Sequence, residues 1–135
     1  MFKTERIVEF GMCDSAGILF FAKIFELTHS AYEEFILRSD LENSYFENEN
    51  FAIPLINASA DYNAPIKLHE VLNISIAVSK IGNSSFQLIS TFTDDLNISK
   101  ATVKTAHVFV NKMDFKKTGI PDEFLSLLKK NKSET

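Results

Sequence analysis

A single stretch of helical periodicity precedes a long run in which apolar residues recur at every second position. From about residue 22 to 38, Phe21, Phe25, Thr28, Tyr32 and Phe35 return at spacings of four and three. Ile24, Leu27 and Ala31 make a second stripe beside them, and Lys23, Glu26, Ser30 and Glu33 fill the opposite side. So wide an apolar stripe is the pattern of a helix lying deep on a sheet. After a polar, irregular stretch at 40–50 the period becomes two. Ile56, Ala58, Ala60 and Tyr62 alternate with Asn57, Ser59 and Asp61, and Leu72, Ile74, Ile76 and Val78 with Asn73, Ser75, Ala77 and Ser79. Pro65 ends the first of these runs, because it lacks a ladder donor. Gly82-Asn83-Ser84 is a hairpin signal. Strands are also expected over 2–10, 86–93 and 100–111, and a short amphipathic helix after Gly119 and Pro121, with Phe124, Leu127 and Leu128 on one face. The order β-α-β-β-β-β-α predicts an α+β fold, with one long helix against an antiparallel sheet.

Composition narrows the function. At 135 residues the chain is expected to form one domain spanning 1–135, large enough to need no disulfide or metal staple. Thirteen Phe against three Tyr and no Trp favour a bulky apolar core or pocket. The net charge of −4 lacks the basic balance of a nucleic-acid binder. The single cysteine, Cys13, excludes an internal disulfide and any CxxC motif. No apolar run approaches the length of a membrane span, and charge in MFKTERIVEF opposes a signal peptide, so a cytoplasmic protein is expected.

Chemistry concentrates in the loop Gly11-Met12-Cys13-Asp14-Ser15-Ala16-Gly17, between the first strand and the helix. Asp14 has two readings. It is either a turn former, the commoner role for Asp in a loop, or a catalytic carboxylate beside a helix N-terminus. There, free N–H groups stabilise negative charge and can hold a carbonyl oxygen as it becomes an oxyanion. Cys13 as nucleophile would need a histidine base close in space, and a structural free cysteine is commoner. His29, His69 and His107 have no metal-ligand spacing, so no metal site is expected. His107 reads as structural. Glu33 continues the polar face, and Glu34 with Arg38 four residues on reads as a surface pair. Lysines at 112, 116, 117, 129 and 130 read as solvated, with coenzyme A phosphate as a second use.

The stretch from Val8 to Phe21 resembles the 4-hydroxybenzoyl-CoA thioesterase branch of the hotdog superfamily, which opens with a strand, a D-x-A-G-[IV]-x-[YF] loop and a long helix. Asp14, Ala16, Gly17, Ile18 and Phe20 match as they stand. Ala60-Asp61-Tyr62-Asn63-Ala64-Pro65 resembles the family's strand end, where an aromatic precedes a Pro, and Gly82-Asn83-Ser84-Ser85-Phe86 its G-x-S-S-[FY] hairpin. Within the branch, His29-Ser30-Ala31-Tyr32-Glu33 and Ala52-Ile53-Pro54-Leu55-Ile56 are most similar to segments of 1,4-dihydroxy-2-naphthoyl-CoA hydrolases of quinone (menaquinone) biosynthesis. Many short-chain members carry a His where this chain has Phe21.

The resemblance implies a hotdog fold: a central helix wrapped by an antiparallel sheet, in a homodimer or a homotetramer built as a dimer of dimers. It implies a thioesterase that hydrolyses an acyl-CoA, aromatic by preference, and needs no cofactor beyond the coenzyme A of its substrate. Asp14 would be nucleophile or general base, the backbone N–H of Phe21 would polarise the carbonyl, and Gly17 would shape the loop. Phe20, His29, Tyr32 and Ser59 would contact the acyl group, and Lys80, Ser84 and Ser85 the coenzyme A. A short- or medium-chain thioesterase, and a hotdog protein that binds acyl-CoA without turnover, are the alternatives. A hydratase is a weaker one, since no His follows Asp14 before His29.

Overall fold

In the computed structural model, which describes residues 1–133, the expected order of elements is present, with one short strand at 51–52 added and the last expected strand divided in two. The last two residues of the expected 1–135 domain lie outside the described residues. β1 (Phe2–Ile7) leads through a 3₁₀ turn at Phe10–Met12 and the Asp14 loop to α1 (Lys23–Leu37). Then come β2 (Phe51–Ala52), β3 (Leu55–Tyr62), β4 (Val71–Ile81), β5 (Ser85–Thr93), β6 (Ser99–Val108), β7 (Val110–Asn111) and α2 (Asp122–Lys130). The main sheet is antiparallel in the order β1-β4-β5-β6-β3, and β2 pairs with β7 separately.

Register explains why α1 settles on one face of this sheet. Ile74, Phe92, Ala101 and Tyr62 form one row across β4, β5, β6 and β3. Ile76, Ser90, Val103 and Ala60 form the next, and Val78, Leu88, Thr105 and Ala58 a third. Successive side chains on a strand point to opposite faces, so these rows share one face. Their β4, β5 and β6 members are buried, as are Ile24, Leu27, Ala31, Phe35 and Ile36 of α1. β1 joins with Thr4 opposite Ile74 and Arg6 opposite Leu72. Both reach α1: Thr4 Oγ1 donates to Glu34 Oε1 at 2.7 Å and Arg6 Nη1 to the same oxygen at 2.8 Å. Glu34 therefore fastens the edge strand to the helix, in addition to the expected pairing with Arg38 at 2.9 Å.

Two expected strands are shorter in the structure. β1 ends at Ile7 rather than residue 10, because its partner β4 begins at Val71, opposite Ile7. The strand expected over 100–111 divides at Phe109, which lies between β6 and β7 and is buried. Its ring packs 5.0 Å from Phe124, 5.6 Å from Phe51 and 6.1 Å from Phe86. The abundance of phenylalanine is thus spent mainly on the core, where Phe35, Phe86, Phe92, Phe109 and Phe124 are fully buried. Glu123 of α2 ties down the irregular stretch after α1, accepting from Glu42 N at 2.8 Å and from the Tyr45 hydroxyl at 2.6 Å.

His107 is structural, as expected, stacked between Tyr32 and Phe86 at 4.8 Å from each and hydrogen-bonded to Thr105 at 2.9 Å. Burial, helped by the neighbouring His29, lowers its pKa from 6.5 to about 4. The hydrogen bonds from Thr4, Arg6 and Arg38 lower that of Glu34 from 4.5 to about 2.

Both depressed pKa values mean that the unfolded chain binds the proton more readily, so stability is lost as pH falls. The His107 loss falls between pH 6.5 and about 4 and the Glu34 loss between 4.5 and about 2. In thermal unfolding followed against pH, His107→Gln should flatten the first interval and Glu34→Gln the second. Phe109→Ala should cost about 3–5 kcal/mol in denaturant unfolding, as large-to-small core changes do.

Candidate active site

Asp14 is held by a tight hairpin. Its N–H donates to Ile18 O at 2.9 Å, and Gly17 N–H returns to Asp14 O at 3.1 Å. Gly17 sits at φ +79°, the left-handed region where glycine is least strained. Asp14 Oδ1 accepts from Ala16 N–H at 2.8 Å, so the turn-forming role is real. That bond uses one carboxylate oxygen; the other has no hydrogen-bond partner among the described residues. Asp14 is exposed.

The hairpin is sewn to the segment after β3. Leu19 N–H donates to Ile66 O at 2.7 Å and Leu68 N–H to Gly17 O at 3.2 Å. That segment is anchored in turn by Lys100, whose carbonyl accepts from Asn63 and Ala64 and whose ammonium donates to Pro65 O at 3.2 Å and pairs with Glu70 at 3.1 Å. Between these walls opens a cleft of about 570 Å³ lined by Asp14, Phe20, Phe21, Tyr62, Pro65 and Ile66 among others. It is mostly apolar, with one carboxylate at its rim.

The start of α1 forms part of the same cleft. No side chain caps the helix. Phe20 N–H donates to Met12 O at 2.9 Å and Lys23 N–H to Phe20 O at 2.9 Å. The N–H groups of Phe21 and Ala22, between them, have no acceptor among the described residues. Unbonded amides at a helix start attract negative charge.

The residues expected at the site divide into four groups. Asp14, Phe20 and Phe21 line the cleft, and Gly17 shapes the hairpin beside it. His29 and Tyr32 line other spaces: a cavity of about 40 Å³ between α1 and the sheet, with Thr105 and His107, and a pocket of about 180 Å³ with Tyr45, Phe46, Phe51 and Lys112. Ser59 alternates with Ala58 and Ala60, so it lies on the sheet face away from α1. Lys80, Ser84 and Ser85 lie at the hairpin end of β4, whereas the Asp14 hairpin lies near its start. The 11 residues of β4 span roughly 33 Å. Within one chain, therefore, Ser59, Lys80, Ser84 and Ser85 do not join Asp14.

Sequence reading missed Tyr62 as a cleft residue, although the aromatic-before-Pro signal at 62–65 lay in view. Cys13 Sγ donates to Glu9 O at 3.7 Å and no histidine lines the cleft, so the nucleophilic reading of Cys13 gains no support. Among the described residues no cluster of His, Cys, Asp or Glu could hold a metal, and no helix is long and apolar enough to cross a membrane.

Comparison with known proteins gives the family and the fold. A 1,4-dihydroxy-2-naphthoyl-CoA hydrolase of Nostoc punctiforme is 31% identical, over 98% of this chain and 90% of its own. One from Prochlorococcus marinus strain MIT 9515 is 32% identical, over 88% and 83%. The crystal structure of a 1,4-dihydroxy-2-naphthoyl-CoA thioesterase from Synechocystis, 24% identical, superposes with a TM-score of 0.86 over 94% of each chain, which shows the shared fold. The family profile described as the thioesterase-like superfamily matches residues 8–128, and the chain belongs to that family.

Proposed function

We propose that this chain is an acyl-CoA thioesterase that hydrolyses an aromatic acyl-CoA to the free acid and coenzyme A at the Asp14 cleft. One observation carries the reading: a carboxylate with an unengaged oxygen shares an apolar cleft with the unbonded amide of Phe21 at a helix start. In the reaction the thioester carbonyl oxygen would lie against the Phe21 N–H, where its developing negative charge is stabilised. Asp14 then either attacks the carbonyl carbon, giving an anhydride that water opens, or takes a proton from the attacking water. Either route expels coenzyme A as a thiolate that gains a proton. Phe20, Phe21 and Tyr62 supply flat surfaces for an aromatic acyl group. The relatives are named for 1,4-dihydroxy-2-naphthoyl-CoA, which supports a place in quinone biosynthesis for this chain.

The site is completed by a second copy. β3 is an edge strand with Leu55, Ile56 and Tyr62 exposed, and an edge of this kind invites pairing. Antiparallel β3–β3 pairing about a two-fold axis sets the Leu55 end of one copy beside the Tyr62 end of the other. The Leu55 end carries the His29–Tyr32 pockets and, through β6 and β5, the Ser84–Ser85 hairpin. The acyl and coenzyme A contacts assigned to His29, Tyr32, Lys80, Ser84 and Ser85 would then come from the partner.

In a free-thiol assay over a panel of acyl-CoAs, kcat/KM for aryl-CoA substrates should exceed that for acetyl-CoA at least about tenfold. Asp14→Ala should lower kcat by about a thousandfold or more on the best substrate. Tight acyl-CoA binding with no turnover across the panel would favour the non-catalytic alternative. Sedimentation should give a dimer or tetramer for the wild type and a smaller species after Ile56→Lys.

A further inference from the structure

The peptide between Phe21 and Ala22 is gripped from the sheet. Tyr62 lies on the helix-facing side of β3, in the row with Ala101, Phe92 and Ile74. Its hydroxyl crosses the cleft and donates to the carbonyl oxygen of Phe21. Desolvation raises its pKa, so the phenol keeps its proton and remains a donor at neutral pH.

The surrounding backbone groups show what this contact does. Phe20 N–H is taken by Met12 O and Phe20 O by Lys23 N–H. Tyr62 takes Phe21 O. Each carbonyl at the entrance to α1 is therefore engaged, while the N–H groups of Phe21 and Ala22 stay unbonded among the described residues. At the helix entrance, apart from the Asp14 carboxylate across the cleft, occupied acceptors and open donors leave a net positive edge toward a carbonyl oxygen. A hydrogen bond to a peptide oxygen also polarises the N–H of the same peptide, here that of Ala22. It fixes the plane of that peptide as well, which matters because oxyanion donors work by being aimed before the charge appears.

We infer that Tyr62 is a positioning residue for thioester hydrolysis: by holding the Phe21 carbonyl it fixes the Phe21–Ala22 peptide and aims the Ala22 amide, next to that of Phe21, at the oxyanion. The inference rests on the Asp14 cleft being the thioester site. It adds a residue with no reacting atom of its own, contributed by the strand at which a second copy would pair.

The test is steady-state kinetics of the full chain on its best acyl-CoA, comparing wild type, Tyr62→Phe, 3-fluorotyrosine in place of Tyr62, and Asp14→Ala. Calorimetric coenzyme A binding and thermal unfolding are measured on each. Tyr62→Phe keeps the ring and loses only the donor. It should lower kcat about tenfold, the scale of one supporting hydrogen bond, with KM and coenzyme A affinity within about threefold and the unfolding midpoint within about 5 °C. Fluorotyrosine retains the donor and should stay within about threefold of the wild-type kcat.

If Asp14→Ala is inactive but Tyr62→Phe turns over at the wild-type rate, the inference fails and the site survives. If Tyr62→Phe loses kcat together with coenzyme A affinity, or its midpoint drops further, the hydroxyl holds the fold and the inference fails. If Asp14→Ala keeps full activity, the site reading fails and takes the inference with it.

Discussion

Burial of α1 against one face of the antiparallel sheet is the constraint from which the rest follows. Ile24, Leu27, Ala31 and Phe35 are covered by the rows of β4, β5 and β6. At roughly 25 cal/mol per Å² of apolar surface, such a helix contributes several kcal/mol through packing alone. A helix packed along its length leaves its ends free. The Asp14 hairpin is sewn to residues 66–68 beside one of them, so the carboxylate and the helix start line one cleft with no hydrogen bond between them among the described residues. Fold energy comes from the seam, and its exposed end is left open to the cleft.

The cleft is maintained by contacts that have little to do with apolar packing. Lys100 holds the wall at 63–65 through its carbonyl and its ammonium, while Tyr62, the residue just before it, spans to the helix entrance. Glu70 is paired with Lys100 but has one buried oxygen without a partner among the described residues, a desolvation cost that a packing-driven fold would avoid. Polar anchors of this kind fix the shape of the wall.

Much of this was legible in the sequence, because periodicity reports burial directly. Lys23–Leu37 is helical within a residue or so of the expected bounds, and Leu72 to Val78 alternate in burial as they alternate in polarity. The Asp-Ala-Gly loop pointed to Asp14 and Phe21, which line one cleft. Less legible were features set by distant partners. β3 alternates in sequence, yet it is largely exposed on both faces because it lies at the sheet edge. Glu34 read as a partner of Arg38, while its bonds to Thr4 and Arg6 cross some 30 residues. The Tyr62–Phe21 contact spans 41 positions, and no local pattern encodes it. Ser59, Lys80, Ser84 and Ser85 were assigned from likeness along the chain, which does not say on which face or at which end of a strand a residue falls.

The account stands on the cleft being where a thioester is held. A crystal structure with an unreactive aryl-CoA analogue, its thioester sulfur replaced by methylene, would test this most directly. The account predicts the analogue's ketone oxygen within hydrogen-bond distance of the Phe21 or Ala22 amide, and its carbonyl carbon beside the Asp14 carboxylate. An acyl group seated elsewhere, with those amides and that carboxylate facing only water, would contradict it.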